Sequence, residues 1–438
     1  MSSSAAGGNG RPFRGGPLIP ILFFITPLFT AASPRLAPFL LPIVAGVLLI
    51  AALRRGLPWR DLLKPNVALI ALLAISAYAG LSAIWAADPE AALSKCGLLF
   101  ATTLVVFAAS AAIPVLDADQ VRRASQAFVA GAFCAAGFVA IELLTDGAIT
   151  RGAMNTFPAF RPERAKHVTI HHDRVTKINL SEFNQDIAIL ALLLWPGLLA
   201  LRALDGPRRR LLTVLFFLAL AVPIAISEHD SSQVGLIASL LVLPLAWVRP
   251  RAVARGLATA WCLGFVLVIP LDFLAFKADL HQAKWLPMSA RARIIIWEYT
   301  AERVLEKPLL GIGADSTPAT MTKPKNPSDK PKGFVIRRTT GQHAHNLFLQ
   351  SWYELGVLGV ILAAMAGAAV ALRILLLPAA AQAYGAASFT MVAVIAAFAW
   401  GMWQIWLICA VGLLPLYLLM SAALLRRPAN SETAPASR

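Results

Sequence analysis

The sequence predicts an all-α integral membrane protein, a single polytopic domain over residues 1–438 with about twelve transmembrane helices. The chain is 58% hydrophobic and only 14% charged, whereas a soluble protein of this length carries more charge and shorter apolar runs. Apolar runs of about 20 residues, the length that crosses a bilayer, recur from end to end. These observations exclude a single soluble domain.

The predicted spans alternate between two kinds of short loop. Arginine pairs such as Arg54-Arg55 and Arg122-Arg123 mark every second loop, and the other short loops carry few basic residues. Basic residues in short loops stay on the cytoplasmic side, so both ends of this sequence are expected inside. The spans are expected at residues 17–33, 36–53, 66–87, 92–115, 124–144, 183–201, 211–226, 234–247, 257–276, 346–377, 383–400 and 403–425.

Two long polar loops, residues 146–182 and 277–345, fall on the outer side in this arrangement. Basic residues outnumber acidic ones there, and all seven histidines of the chain lie in outer loops. Excess positive charge on the outer face indicates an anionic ligand such as a lipid diphosphate or a phosphorylated glycolipid. Attraction to anionic membrane lipids is the alternative. The net charge of +16 is therefore assigned to the membrane and these loops, and no nucleic-acid partner is predicted.

Residues 341–350 are the strongest candidate for chemistry. They close the second long loop and open a long apolar helix, and they contain His343, His345 and Asn346. An imidazole at a membrane–water boundary suits proton transfer to or from a substrate held partly in lipid. The alternative is that these residues only solvate the start of a helix.

Residues 289–306 predict an amphipathic helix that lies on the membrane surface. Arg293 and Trp297 are four residues apart and therefore share a face. Arg293 can present a planar guanidinium to a phosphate while Trp297 anchors in the interface. Snorkelling of the arginines on an interfacial helix is the alternative. Residues 308–313 predict a turn, because they lack the preceding strand and the Lys-Ser/Thr of a nucleotide-binding loop.

The histidine spacing gives little support for a metal site. His167, His171 and His172 are clustered as zinc ligands often are, but the chain has no HExxH motif. Its four cysteines lie in apolar runs without a CxxC pair. We therefore predict no metal, no cofactor and no disulfide framework.

An ordered set of short motifs runs along the chain. It consists of residues 81–85 before Asp88-Pro89, Phe183-Asn184 at the start of a span, Arg293-x3-Trp297, residues 308–313, His345-Asn346, and Glu354-Leu355-Gly356 with Gly359. In this order the motifs resemble the O-antigen ligase and O-antigen polymerase superfamily of Gram-negative inner membranes. The resemblance covers most of the chain in topology, and its sharper motifs lie within residues 289–360. It implies a GT-C-type membrane glycosyltransferase whose active site lies on the periplasmic face, in the loop 277–345.

The resemblance also implies roles for particular residues. The essential histidine of the family maps onto His345 as general base, with His343 as the alternative. The periplasmic arginine of the family maps onto Arg293, with Arg291 close by, and these bind the donor diphosphate. Asn346 and Trp297 are the expected supporting residues.

One departure from the family pattern concerns the short outer turn before the eighth span. Many members have Ser-Arg there, but this chain has Ser231-Ser232-Gln233. Basic residues of the first long loop, Arg161 or Arg174, are the expected substitutes for the missing arginine.

The implied reaction transfers a polysaccharide from undecaprenyl diphosphate to a sugar hydroxyl of lipid A–core, without a metal and with inversion at the anomeric carbon. A polymerase would use the same donor and extend another lipid-linked repeat. From a different class, a transporter or flippase of an anionic lipid is the second alternative. Ionisable residues at mid-span would favour transport, and the predicted spans are nearly free of them.

Overall fold

A computed structural model describes residues 17–161, 168–204, 206–321 and 338–426. In these residues eleven helices are long and apolar enough to cross a membrane, and a shorter apolar helix precedes them. The predicted polytopic helical class is thereby confirmed. The helices are α1 (Leu18–Ala32), α2 (Ala37–Arg54), α3 (Val67–Leu81), α4 (Pro89–Ala112), α5 (Ala118–Leu144), α6 (Ala148–Thr156), α7 (Asn184–Ala203), α8 (Arg209–Ile226), α9 (Asp230–Val248), α10 (Pro250–Lys277), α11 (Met288–Val304), α12 (Thr317–Thr320), α13 (Leu347–Arg373), α14 (Ala379–Phe398) and α15 (Ile405–Ala423).

The first long loop departs from the predicted all-α class. After α6 it forms an antiparallel hairpin of two strands, β1 (Val168–His171) and β2 (Arg174–Ile178). The two turn residues, His172 and Asp173, both have positive φ, at 48° and 56°, as a tight two-residue hairpin turn requires. Within β2 only Val175 and Ile178 are buried, and they pack against neighbouring apolar side chains, while the other three residues of the strand are exposed.

Helix α7 lies at the centre of the larger apolar cluster. Its residues from Asp186 to Leu201 are all buried, and a helix that is apolar on every side belongs inside a bundle. Buried residues of α1, α2, α4, α5, α8, α9, α14 and α15 complete this cluster. The bundle core is therefore built mainly by helices outside the loop 277–345.

A second apolar cluster groups residues of α3, α4, α10, α11 and α13, with Ala397 from the end of α14. Ala344 and Phe348 belong to it, as does Trp403 from the segment that follows α14. Ala399 belongs to the first cluster. The turn after α14 therefore joins the two clusters at the point where α13 begins.

Helix α13 is interrupted at Gly356, whose φ is 61°. The segment 308–313 fills the break with backbone hydrogen bonds. Val357 N donates to Pro308 O at 2.9 Å, and Gly313 N donates to Glu354 O at 2.8 Å. A break in a membrane helix is tolerated where other groups satisfy the freed backbone atoms. The turn predicted at 308–313 is thus a fixed partner of α13.

We predict that Gly356→Ala is strongly destabilising. A Cβ at this position would stand 2.3 Å from the Leu309 carbonyl oxygen, and the positive φ disfavours any L side chain. We expect a loss of roughly 3 kcal/mol, seen as a lower thermal unfolding temperature in detergent. Gly137→Ala, in an open position of α5, is the matched control. An unfolding temperature unchanged by Gly356→Ala would contradict the tight fit seen here.

Candidate active site

His345 lies directly before α13 and is held in one tautomer. Its φ of 53° turns the chain just before the helix, and its Nδ1 lies 2.5 Å from the Ala399 carbonyl oxygen. A carbonyl oxygen can only accept, so Nδ1 carries the proton and donates it to this bond. Nε2 is then left with its lone pair, which is the state required of a general base.

Three consecutive residues after α14, the Ala399–Gly401 turn, contact three histidines. Ala399 accepts from His345, and Trp400 stacks on the His229 ring with a centroid distance of 4.7 Å. A Cβ at Gly401 would stand 2.7 Å from His343 Cβ, so the absence of a side chain permits this approach. The turn therefore brings together residues from three distant parts of the sequence.

The His343 and His345 rings are neighbours, with centroids 4.1 Å apart. His343 Nε2 is buried and has no hydrogen-bond partner among the described residues. The structure thus brings together the two histidines predicted from the sequence. Of the two, His345 has the fixed tautomer.

Arg293 of α11 supplies positive charge beside all three rings. Burial lowers the pKa of Arg293, while the negative charge of Asp230 opposes that shift. Burial, followed by the charges of His345 and Arg293, lowers the pKa of His343 to about 3. Burial and then Arg293 lower the pKa of His229 to about 3.

Burial and the charge of Arg293 also act on the pKa of His345. Burial lowers its pKa most, its hydrogen bond to the Ala399 carbonyl raises it, and the Arg293 charge lowers it. At neutral pH the imidazoles are therefore uncharged and Arg293 is the cation among them. An uncharged base beside a cation can accept a proton while the cation binds an anion.

Asn346 and Trp297 each hold part of the chain around His345 by hydrogen bonds. Asn346 Oδ1 accepts from the backbone N–H groups of Phe348 and Leu349 at 3.0 and 3.2 Å, which caps α13. Trp297 Nε1 donates to the Ala344 carbonyl oxygen at 2.8 Å. Its indole N–H thereby holds the chain next to His345, while the membrane-interface role of Trp297 stays a prediction.

Glu354 connects the second long loop to the Ala399–Gly401 turn. Its fully buried carboxylate accepts from Asp315 N at 2.9 Å and from Gln350 Nε2 at 3.0 Å. It also accepts from Trp403 Nε1. A buried carboxylate is tolerated only when hydrogen bonds satisfy it. These hydrogen bonds hold Trp403, just after the Ala399–Gly401 turn, against α13 and the second long loop.

The remaining predicted arginines lie in different surroundings. Arg291 Nε is buried and has no hydrogen-bond partner among the described residues. In the first loop, Arg161 donates to Asp173 Oδ1 at 2.6 Å and to the Met154 carbonyl oxygen at 3.1 Å. Arg174 is exposed at the start of β2. The described hydrogen bonds and ion pairs do not join these two first-loop arginines to the histidines.

His229 and Trp400 are site residues that the motifs did not reveal. His229 lies in the outer turn where many family members have Ser-Arg, so the unusual composition of that turn was the available signal. Trp400 follows α14, in a stretch without a recognisable motif. Its role depends on helix packing.

Structural and catalytic metal sites take three or four protein ligands, and the structure describes residues 17–161, 168–204, 206–321 and 338–426. No group of three or more His, Cys, Asp or Glu side chains is placed to hold a metal ion in those residues. His171 and His172 lie at the hairpin turn, and His167 lies outside the described residues.

The fold and site define a polytopic helical membrane protein in which uncharged imidazoles and an arginine lie near the start of a broken helix. Residues 214–364 match the family described as O-antigen ligase, and this segment contains His229, Arg293, His343 and His345. This segment is therefore similar to the O-antigen ligase family, which supports the resemblance seen in the motifs.

A curated relative supports the same assignment. It is a Rickettsia conorii protein described as a candidate polysaccharide ligase, 25% identical to this chain over 193 residues. The match covers 43% of this chain and 44% of the relative. The chain thus spans less than half the length of that relative.

We predict that acidification destabilises the protein partly through His229 and His343. Their folded pKa of about 3 lies below the ordinary 6.5, so the unfolded chain binds more protons at intermediate pH. The stability they contribute is complete above about pH 6.5 and is lost as pH falls toward 3. The unfolding temperature of the double variant His229→Gln/His343→Gln should therefore fall less between pH 7.5 and 5 than that of the wild type. Parallel curves would contradict this.

Proposed function

We propose that the protein is an O-antigen ligase that transfers polysaccharide from undecaprenyl diphosphate to a sugar hydroxyl of lipid A–core. The observation that supports this proposal most is the fixed tautomer of His345, which leaves Nε2 without a proton. The positive charge of Arg293 acts on the same ring. The O-antigen ligase family match over residues 214–364 supports the class of reaction. The donor, the acceptor and the residue roles are part of the proposal.

In the proposed reaction, His345 Nε2 takes the proton of the acceptor hydroxyl as that oxygen attacks the anomeric carbon of the donor. A new glycosidic C–O bond forms, and the bond from the same carbon to the phosphate oxygen breaks. Undecaprenyl diphosphate leaves with the electron pair. Attack from the opposite side inverts the configuration, and His343 is the alternative base.

Arg293 is proposed to bind the donor diphosphate, with Arg291 as a second contact. A guanidinium offers paired donors to phosphate oxygens and offsets the charge that develops on the leaving group. With arginines in this role, the transfer is proposed to be metal-independent. Arg161 and Arg174 remain predicted contacts of the donor from the first loop.

The proposed setting is the inner membrane, with the catalytic loop 277–345 and the first loop 146–182 on the periplasmic side. Buried acidic side chains within the described spans, Glu142, Asp186, Asp272 and Glu354, lie within about two turns of a helix end. A path of charged groups through the bilayer centre is what a transporter would need. Their placement favours the enzyme over the flippase alternative.

The function is tested by reconstitution. Purified protein in EDTA is mixed with undecaprenyl-diphosphate-linked glycan and lipid A–core, and lipopolysaccharide is followed by gel shift. A shift supports a metal-independent ligase. Growth of the lipid-linked glycan without a shift supports the polymerase. Neither product from folded protein would reject both enzymes and favour the transporter.

We predict that His345→Ala abolishes transfer, because the proton acceptor is lost, while protein level and unfolding temperature change little. Loss of a general base typically costs about 10²–10⁴-fold in rate. The exposed histidine of the hairpin provides the matched control, since His171→Ala should retain wild-type transfer. Normal transfer by His345→Ala would remove His345 from the mechanism.

We predict that Arg293→Ala lowers kcat/KM by about 10²–10³-fold, with Arg293→Lys intermediate because lysine keeps the charge but loses the fork. Arg303→Ala is the control, since Arg303 lies on the same helix α11 and its exposed guanidinium bonds to Tyr299 and Glu306. Equal losses of kcat/KM in Arg293→Ala and Arg303→Ala would show that the loss comes from removing a positive charge anywhere on α11 and not from a specific contact of Arg293.

A further inference from the structure

His229 is the third histidine at the Ala399–Gly401 turn, and the reaction proposed above gives it no role. Its side chain is fixed on two sides. Nδ1 lies 2.7 Å from Ser232 Oγ, and the ring stacks on Trp400 with an interplanar angle of 27°. Only 4% of the surface of His229 is exposed, so the orientation of the ring is fixed.

The remaining ring nitrogen of His229, Nε2, is buried and has no hydrogen-bond partner among the described residues. His343 Nε2 is in the same situation on the same turn. Buried polar atoms in folded proteins nearly always have a partner, so two such atoms at one site indicate a polar ligand. The ligand must offer hydrogen-bonding groups at more than one point.

The charge state of His229 narrows the chemistry of that ligand. Burial and the neighbouring Arg293 keep the ring uncharged at neutral pH, so it contributes no charge toward a phosphate. Each nitrogen of an uncharged imidazole is either a hydrogen-bond donor or an acceptor, depending on the tautomer. A hydroxyl can pair with it in both cases, because a hydroxyl both donates and accepts. A sugar hydroxyl therefore fits better than the diphosphate.

We propose that His229 is a binding residue whose Nε2 forms a hydrogen bond with a hydroxyl of one of the two glycan substrates. This rests on the proposed function and adds a specificity contact to it. The hydroxyl comes from the donor sugar or from the acceptor sugar, and kinetics with each substrate varied in turn distinguish the two.

The test compares His229→Phe with His229→Gln in the transfer assay. Phenylalanine keeps a flat ring for stacking on Trp400 but lacks Nε2, whereas the glutamine amide can occupy the Nε2 position. We expect His229→Phe to raise the KM of one substrate about tenfold, the size of one lost hydrogen bond. Its kcat should stay within about twofold, and His229→Gln should recover part of the lost affinity. The substrate whose KM rises is the one that carries the hydroxyl.

His281→Phe is the matched control. His281 also stacks on an aromatic ring, that of Phe276 at 4.3 Å, and it also has a buried nitrogen without a partner among the described residues, Nδ1. It lies outside the Ala399–Gly401 turn, so His281→Phe should leave both KM values unchanged.

Two outcomes overturn the inference alone, given transfer by the wild type. One is unchanged KM values in His229→Phe. The other is equal losses in His229→Phe and His229→Gln together with lower unfolding temperatures, which would show a packing role. Absence of transfer by the wild type would overturn the proposed function and this inference together.

Discussion

The hydrogen bond from His345 Nδ1 to the Ala399 carbonyl is the interaction on which the candidate site depends. It joins the chain before α13 to the turn after α14, and it determines which ring nitrogen is free. It exists only while that turn keeps its place. The backbone N–H of Met402 donates to Gln350 Oε1 at 3.1 Å, and Trp403 donates to Glu354. The first two turns of α13 therefore hold the Ala399–Gly401 turn in place, and that turn orients His345.

The break in α13 also helps to hold the candidate site in place. At Gly356 the helix gives up regular backbone bonds, and residues 308–313 replace them. The second long loop is thereby attached to the same helix that presents His345. Because Asp315 and Thr317 then donate to Glu354, the loop, the helix and the turn form one connected hydrogen-bond network. The network therefore preorganises His345 for the proton transfer proposed above.

Desolvation gives the site its electrostatic character. Burial disfavours charge on the imidazoles and also on the Arg293 guanidinium, so the site without substrate holds a cation opposed chiefly by Asp230. An anionic diphosphate would relieve that cost. The proposed function and the two unpartnered imidazole nitrogens thus call for a ligand with both phosphate and hydroxyl groups, which a lipid-diphosphate-linked glycan combines.

The apolar runs by themselves determined the helices, because span length and continuous hydrophobicity are local properties of the sequence. The polar loops, the helix at Met288–Val304 and the order of the motifs around Arg293 and His345 were equally readable. Only the tertiary structure decided that Ala399, Trp400 and Gly401 meet three histidines. The reason is physical: a backbone carbonyl and a missing side chain leave no signature in sequence, and His229 reaches them only through the packing of helices far apart in the chain. The hairpin of the first loop was missed because two apolar residues three apart, Val175 and Ile178, do not give the period-two signal of a strand in a charged loop.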